Sequence, residues 1–128
     1  MAYRLSLEHV SLLVKDLAAS EAFYIDILGL PAIANGTGKD HIRWFGIGPG
    51  QAVHVTLGDT STTHTEKATH FCLASDDLEA VMARLEEKGV PYSDWPGRSG
   101  GIHVRPDGVR SVYIQDPDGY WIEINDAG

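Results

Sequence analysis

The segment Glu8-His9-Val10-Ser11-Leu12-Leu13-Val14-Lys15-Asp16-Leu17 returns as Thr69-His70-Phe71-Cys72-Leu73-Ala74-Ser75-Asp76-Asp77-Leu78, with His9 to His70 and Asp16 to Asp77 both offset by 61. Self-similarity at such a period means one structural plan used twice. Each copy then runs into a helical pattern that ends at glycine: Gly29 followed by Leu30-Pro31, and Gly89 followed by Val90-Pro91. In the second copy Leu78, Val81, Met82 and Leu85 recur at i, i+3, i+4 and i+7. Asp76 or Asp77 is placed to cap that helix and Gly89 to stop it. In the first copy Leu17, Ala18, Phe23, Tyr24, Ile27 and Leu28 form a similar stripe after Asp16, which predicts a helix over about Leu17 to Leu28.

Strand-like stretches follow each helix. They are Ile42 to Gly46 and Ala52 to Leu57 in the first half, and Ile102 to Arg105, Ser111 to Gln115 and Tyr120 to Asn125 in the second. Gly48-Pro49-Gly50, Pro106-Asp107-Gly108 and Asp116-Pro117-Asp118-Gly119 separate them as turns. Each half reads as strand, helix, then about three strands. The expected fold class is α+β, with residues 1–62 and 66–128 as two modules of a single domain spanning 1–128.

A chain of 128 residues, 43% of them hydrophobic and 22% charged, suits one ordinary domain. No apolar run approaches the roughly 20 residues that cross a bilayer, and the first residues lack the apolar stretch of a signal peptide. A cytoplasmic location away from membranes is the expectation. Cys72 is the only cysteine, so no internal disulfide forms. The net charge of -8 with ten Lys and Arg disfavours nucleic acid as a partner.

Strand parity sorts the polar residues. Val10, Leu12 and Val14 share one face of the first strand and His9 and Ser11 the other. Val53, Val55 and Leu57 oppose Ala52, His54 and Thr56, while Phe71 and Leu73 oppose His70, Cys72 and Ala74. Ile122 and Ile124 oppose Trp121, Glu123 and Asn125. Four strands thus each present one potential metal ligand on the less apolar face. Imidazole nitrogen and carboxylate oxygen suit zinc, nickel, iron, cobalt or manganese, and three or four of them converging leave room for substrate. Taken singly, a strand histidine is more often a hydrogen-bonded partner at a core edge, and Glu123 has a solvent-facing alternative.

Leu7-Glu8-His9-Val10, Ala68-Thr69-His70-Phe71 and Gln115-Asp116-Pro117-Asp118-Gly119-Tyr120-Trp121-Ile122-Glu123 resemble the signature segments of the glyoxalase, bleomycin-resistance and extradiol-dioxygenase superfamily, also called vicinal oxygen chelate. The resemblance covers nearly the whole chain. It implies two βαβββ modules whose mixed sheets curl into a cupped, partly closed half-barrel with flanking helices. It also implies one divalent transition metal held by His9, His54, His70 and Glu123, a homodimer, and a small-molecule substrate. The implied chemistry is of lyase or isomerase type, in which the metal stabilises an enolate or other oxyanion. Glyoxalase I enzymes supply glutamate at the position matched here by His54, so this sequence keeps one of two carboxylates as base.

Three other readings stay open. An extradiol dioxygenase would use His9, His70 and Glu123 as its iron face, with His103 and Tyr113 in catalytic roles. A drug-binding protein of the bleomycin-resistance kind would use the same cup without a metal, and a fosfomycin-type thiol transferase would share His9, His70 and Glu123. Tyr113, by parity on the less apolar face, is a candidate hydrogen-bond donor to substrate or else a packing residue. Arg43, Arg98, Arg105 and Arg110 are candidate anion anchors or solvated surface groups. Trp44 and Trp95 are pocket walls or core fillers, and His41 and His64 read as loop residues.

Overall fold

Asp16 and Asp77 both cap a helix, as the repeat demands. In the computed structural model, which describes residues 2–128, the Asp16 carboxylate accepts from Ala19 N at 3.1 Å and Asp77 from Ala80 N at 3.0 Å. Each satisfies one of the backbone donors that a helix start leaves bare. Gly29 and Gly89 end the two helical segments with φ of 74° and 69°, a conformation that costs glycine little. The chain divides into two units, one ending at Thr62 and the other beginning at Thr63.

The first unit contains β1 (His9–Val14), α1 (Leu17–Glu21), β2 (Ala32–Ile33), β3 (Ile42–Gly48) and β4 (Gln51–Leu57). Its sheet has the order β1-β4-β3-β2, with β1 parallel to β4 and the other pairs antiparallel. The apolar parity face is buried over most of its length: Val14, Val53, Val55 and Phe45 lie within a core completed by Phe23 and Tyr24, while Leu57 at the end of β4 is exposed. Tyr24 and Phe45 stack at 5.3 Å.

The first helix departs from the expected regular winding. Beyond Glu21 the chain continues as a π-helix over Ala22–Ile27, with Leu28 N donating to Phe23 O at 3.0 Å. Phe23 and Tyr24 are adjacent in sequence and both buried, and the wider turn brings both rings to the core side. The two-residue β2, exposed and too short to show a period, escaped the sequence pattern.

The second unit repeats the plan with β5 (His70–Ala74), α2 (Leu78–Glu87), β6 (His103–Val104), β7 (Arg110–Gln115) and β8 (Trp121–Asn125). Its sheet order is β5-β8-β7-β6, again with only the first pair parallel. Val112, Ile114, Ile122 and Ile124 form the buried face, and α2 adds Leu78 and Leu85. Burial of each such side chain is worth about 1.5–3 kcal/mol. The Asp116 carboxylate accepts from Asp118 N and Tyr120 N, locking the turn that launches β8. The two four-stranded modules with their helices make up the expected α+β, βαβββ architecture. Among the described residues no helix is long and apolar enough to cross a membrane.

Candidate functional site

In the first unit the parity rule places His9 and His54 on one face, and strand register makes them neighbours. Ser11 of β1 pairs with His54 of β4, and His54 pairs with Trp44 of β3. The three rings lie nearly parallel: His9 and His54 are 4.1 Å apart at 12°, and His54 and Trp44 are 4.0 Å apart at 2°. His54 is the buried centre of this stack. Loss of water, and then the neighbouring His9, hold its pKa below the ordinary histidine value. His9 Nδ1 lies 2.7 Å from the Glu8 carboxylate, which leaves Nε2 as its free ring nitrogen. The Trp44 indole N–H is buried with no hydrogen-bond partner among the described residues.

In the second unit the same register positions carry different chemistry. Cys72 of β5 pairs with Glu123 of β8, and Glu123 pairs with Tyr113 of β7. Glu123 is buried, and a buried carboxylate needs partners. His70 Nε2 sits 3.1 Å from its Oε1, and the Tyr113 hydroxyl donates to the same oxygen at 3.2 Å. His70 Nδ1 donates to the Lys67 carbonyl at 2.8 Å, which fixes the ring and aims Nε2 at the carboxylate. Burial raises the Tyr113 pKa, so its hydroxyl remains a proton donor at neutral pH.

Cys72 presents part of its surface to solvent, yet its thiol is shielded beside Glu123. Desolvation and then the Glu123 charge push that thiol up to about 12. That shift keeps the thiol in its protonated form at neutral pH, which disfavours the thiolate that acts as a nucleophile.

The expected ligands therefore fall into two pairs, His9 with His54 and His70 with Glu123. In neither unit do three or more His, Cys, Asp or Glu side chains come together as a metal-holding group among the described residues. His103 is on β6 with its ring centroid 6.5 Å from that of Tyr113, and has no hydrogen bond to Glu123. The four arginines considered as anion anchors are already paired: Arg43 with Glu21, Arg98 with Asp94, Arg105 with Asp107, and Arg110 with Asp126 and Glu79. His41 and His64 are exposed. Trp44 joins the histidine stack, and Trp95 is exposed beside His70 at a centroid distance of 6.3 Å. Sequence reasoning missed Lys67, which precedes β5 in a segment with no periodic signal. Its place three residues before His70 was the only hint.

Known proteins carry the same organisation. A family model described as the Glyoxalase/Bleomycin resistance protein/Dioxygenase superfamily matches residues 6–124. The chain is 30% identical to the uncharacterized protein YwbC of Bacillus subtilis, over 91% of this chain and 94% of that one. It is 28% identical to a protein of Arabidopsis thaliana named Glyoxylase I 4, over 93% of this chain and 69% of the relative. Among solved structures, the lactoylglutathione lyase of Agrobacterium tumefaciens superposes with a TM-score of 0.70 at 25% identity, covering 98% of this chain and 96% of the other.

Proposed function

The chain belongs to the glyoxalase, bleomycin-resistance and dioxygenase superfamily, and on that premise we propose that it is a metal-dependent lyase or isomerase acting on a small oxygenated substrate. The observation that carries the reading is Glu123, a buried carboxylate whose single oxygen Oε1 meets both His70 Nε2 and the Tyr113 hydroxyl. A buried acid with a histidine and a tyrosine on one oxygen is an arrangement suited to moving a proton.

The donor chemistry fits a divalent transition metal. Two ligand atoms on one tetrahedral zinc-sized ion stand about 3.3 Å apart, given bonds of about 2.0–2.1 Å. His70 Nε2 and Glu123 Oε1 are 3.1 Å apart. In the first unit His9 and His54 are the other donors that the sequence offers, and His9 has its Nδ1 engaged and Nε2 spare. Zinc, nickel, iron, cobalt or manganese held by such donors would supply Lewis acidity toward a substrate oxygen.

This chain's own groups do the remainder. Glu123 accepts a proton from a carbon next to a carbonyl and returns it to the neighbouring carbon. Tyr113 stays protonated and hydrogen-bonds either the carboxylate or a substrate oxygen as charge shifts between them. His70 cannot swing away, because its Nδ1 is tied to the main chain. Relatives named lactoylglutathione lyase make a hemithioacetal the first substrate to try. The histidine at position 54 leaves Glu123 as the only carboxylate of the proposed set. We read the protein as a cytoplasmic homodimer, an assignment that sedimentation and cell fractionation check.

Elemental analysis of the purified protein tests the core of the proposal. About one divalent transition metal per chain is expected, lost in His9→Ala, His70→Ala and Glu123→Ala. Metal-free protein that also ignores added zinc, nickel and cobalt would sink the reading in favour of a binding module. Iron content with oxygen uptake on catechols would move it to a dioxygenase, for which His103 edge-on to Tyr113 is the supporting contact.

A further inference from the structure

The Lys67 ammonium is held by three hydrogen-bond acceptors and faces three aromatic rings. Its Nζ donates to Asp94 O at 2.7 Å, Trp95 O at 2.9 Å and Ser93 Oγ at 3.3 Å, which uses all three N–H bonds of an ammonium. The same nitrogen lies 5.0 Å from the ring centroids of Tyr113 and Trp121 and 5.6 Å from that of Trp95. Each distance is within the reach of a cation–π attraction.

These contacts close a loop around Glu123. In one direction the Lys67 carbonyl accepts from His70 Nδ1, and His70 Nε2 meets Glu123 Oε1. In the other, the Lys67 ammonium holds residues 93–95, where Ser93 exchanges both backbone hydrogen bonds with Tyr113. The Tyr113 hydroxyl then donates to the same Glu123 oxygen. Residue 67 therefore reaches one carboxylate by two routes, through its main chain and through its side chain.

We propose that Lys67 is a positioning residue for the His70–Glu123–Tyr113 cluster, its ammonium pinning the 93–95 strap and the aromatic rings so that the imidazole and the phenol converge on one carboxylate oxygen. The proposal rests on the reading of that cluster as the proton-moving site of the proposed function. A lysine serving only to stabilise the fold needs no such convergence. The three acceptors around Nζ specify a compact ammonium: Met fills similar volume but leaves two carbonyls bare, and the flat guanidinium of Arg cannot offer three donors from one atom. The strap itself is braced independently, since the Asp94 carboxylate accepts from Gly97 N, Arg98 N and Arg98 Nε. Loss of Lys67 therefore loosens the strap's seating without unravelling its internal turn.

The experiment compares wild-type protein with Lys67→Met, Lys67→Arg and Trp95→Leu. One readout, on metal-stripped protein at a single pH, is the NMR signals of the labelled His70 imidazole and Tyr113 ring. The other is zinc affinity by chelator competition. Lys67→Met is expected to shift and broaden both side-chain signals and to weaken zinc by about 10-fold, the lower end of what loss of an outer support costs. Trp95→Leu, which removes one ring of three, should give smaller changes of the same kind. Should Lys67→Met fail to fold, Lys67→Arg is read by the same criterion. A variant with lowered melting temperature but unmoved His70 and Tyr113 signals and unchanged zinc affinity would overturn the proposal and leave Lys67 structural. If wild-type protein binds no metal, the function proposed above fails while the NMR comparison still decides the role of Lys67.

Discussion

Two units built on one plan place different chemistry at the same points of the sheet. His9, Ser11, His54 and Trp44 in the first unit hold the register positions of His70, Cys72, Glu123 and Tyr113 in the second. The first set resolves into a ring stack with a neutral imidazole at its centre. The second is organised by a carboxylate that draws a histidine, a tyrosine and a thiol toward it. One substitution of kind, imidazole against carboxylate at the second sheet position, changes what every neighbour does. The units also differ in length: the offset between them grows from 60 at the post-helix prolines to 69 at Trp44 and Tyr113. The extra residues of the second unit come after Ser93, which pairs with Tyr113 as Ile33 pairs with Trp44, so the strap that Lys67 holds takes the place of β2.

The largest expected contrast is in thiol reactivity. With its thiol pushed up to about 12, Cys72 should react with iodoacetamide at pH 8 on the order of 10³-fold more slowly than an ordinary cysteine. Ser11 holds the matching position without a carboxylate beside it. Ser11→Cys in a Cys72→Ala background should therefore react at an ordinary rate, measured by mass spectrometry over time. Equal slowness in both proteins would show that the sheet position, and not Glu123, suppresses the thiol, and the contrast would be broken.

Core packing should be alike where chemistry is not. Phe45→Ala in the first unit and Leu85→Ala in the second each truncate a side chain that is 1% or less exposed. Losses of about 3–5 and 2–5 kcal/mol are expected in urea denaturation. A near-neutral result for either would mean that its unit contributes little packing energy, which would break the parallel. A smaller and matched pair is Asp16→Ala and Asp77→Ala, each removing an N-cap at a cost of about 1 kcal/mol. Thermal melts giving clearly unequal losses would show that the two caps, alike in geometry, are unlike in energy.

The smallest effect is a pH dependence confined to the first unit's stack. The folded-state pKa of His54 lies below its ordinary value of 6.5, so the unfolded chain binds a proton more readily. Stability is then unaffected at higher pH and declines as pH falls through about 6.5 toward the depressed folded value. His54→Phe keeps a ring in the stack and should abolish that decline, as read from metal-free melts between pH 5 and 8. A decline that persists unchanged in the variant would assign it to another group.

Much of this was legible from local pattern. The 61-residue offset, the two aspartate caps, the glycine stops and strand parity each depend on residues close in sequence, where periodicity reports directly on which side faces the core. Parity correctly put His9, His54, His70, Tyr113 and Glu123 on the less apolar faces. The π turn over Ala22–Ile27 was not legible, because the apolar spacing of Phe23, Tyr24, Ile27 and Leu28 reads equally as a regular helix. Nor was the pairing of all four arginines, since the choice between solvent and carboxylate is made by distant backbone.

By itself the sequence determined that two βαβββ modules form and which face of each strand carries its polar groups, because alternation and capping are written in neighbouring residues. Only the tertiary structure decided that His54 lies between two rings, that His70 and Tyr113 share one oxygen of Glu123, and that the Lys67 ammonium sits among three aromatic rings. Those outcomes depend on strand register and on a strap more than twenty residues away from Lys67, where hydrogen-bond geometry, and not residue type, selects the partner.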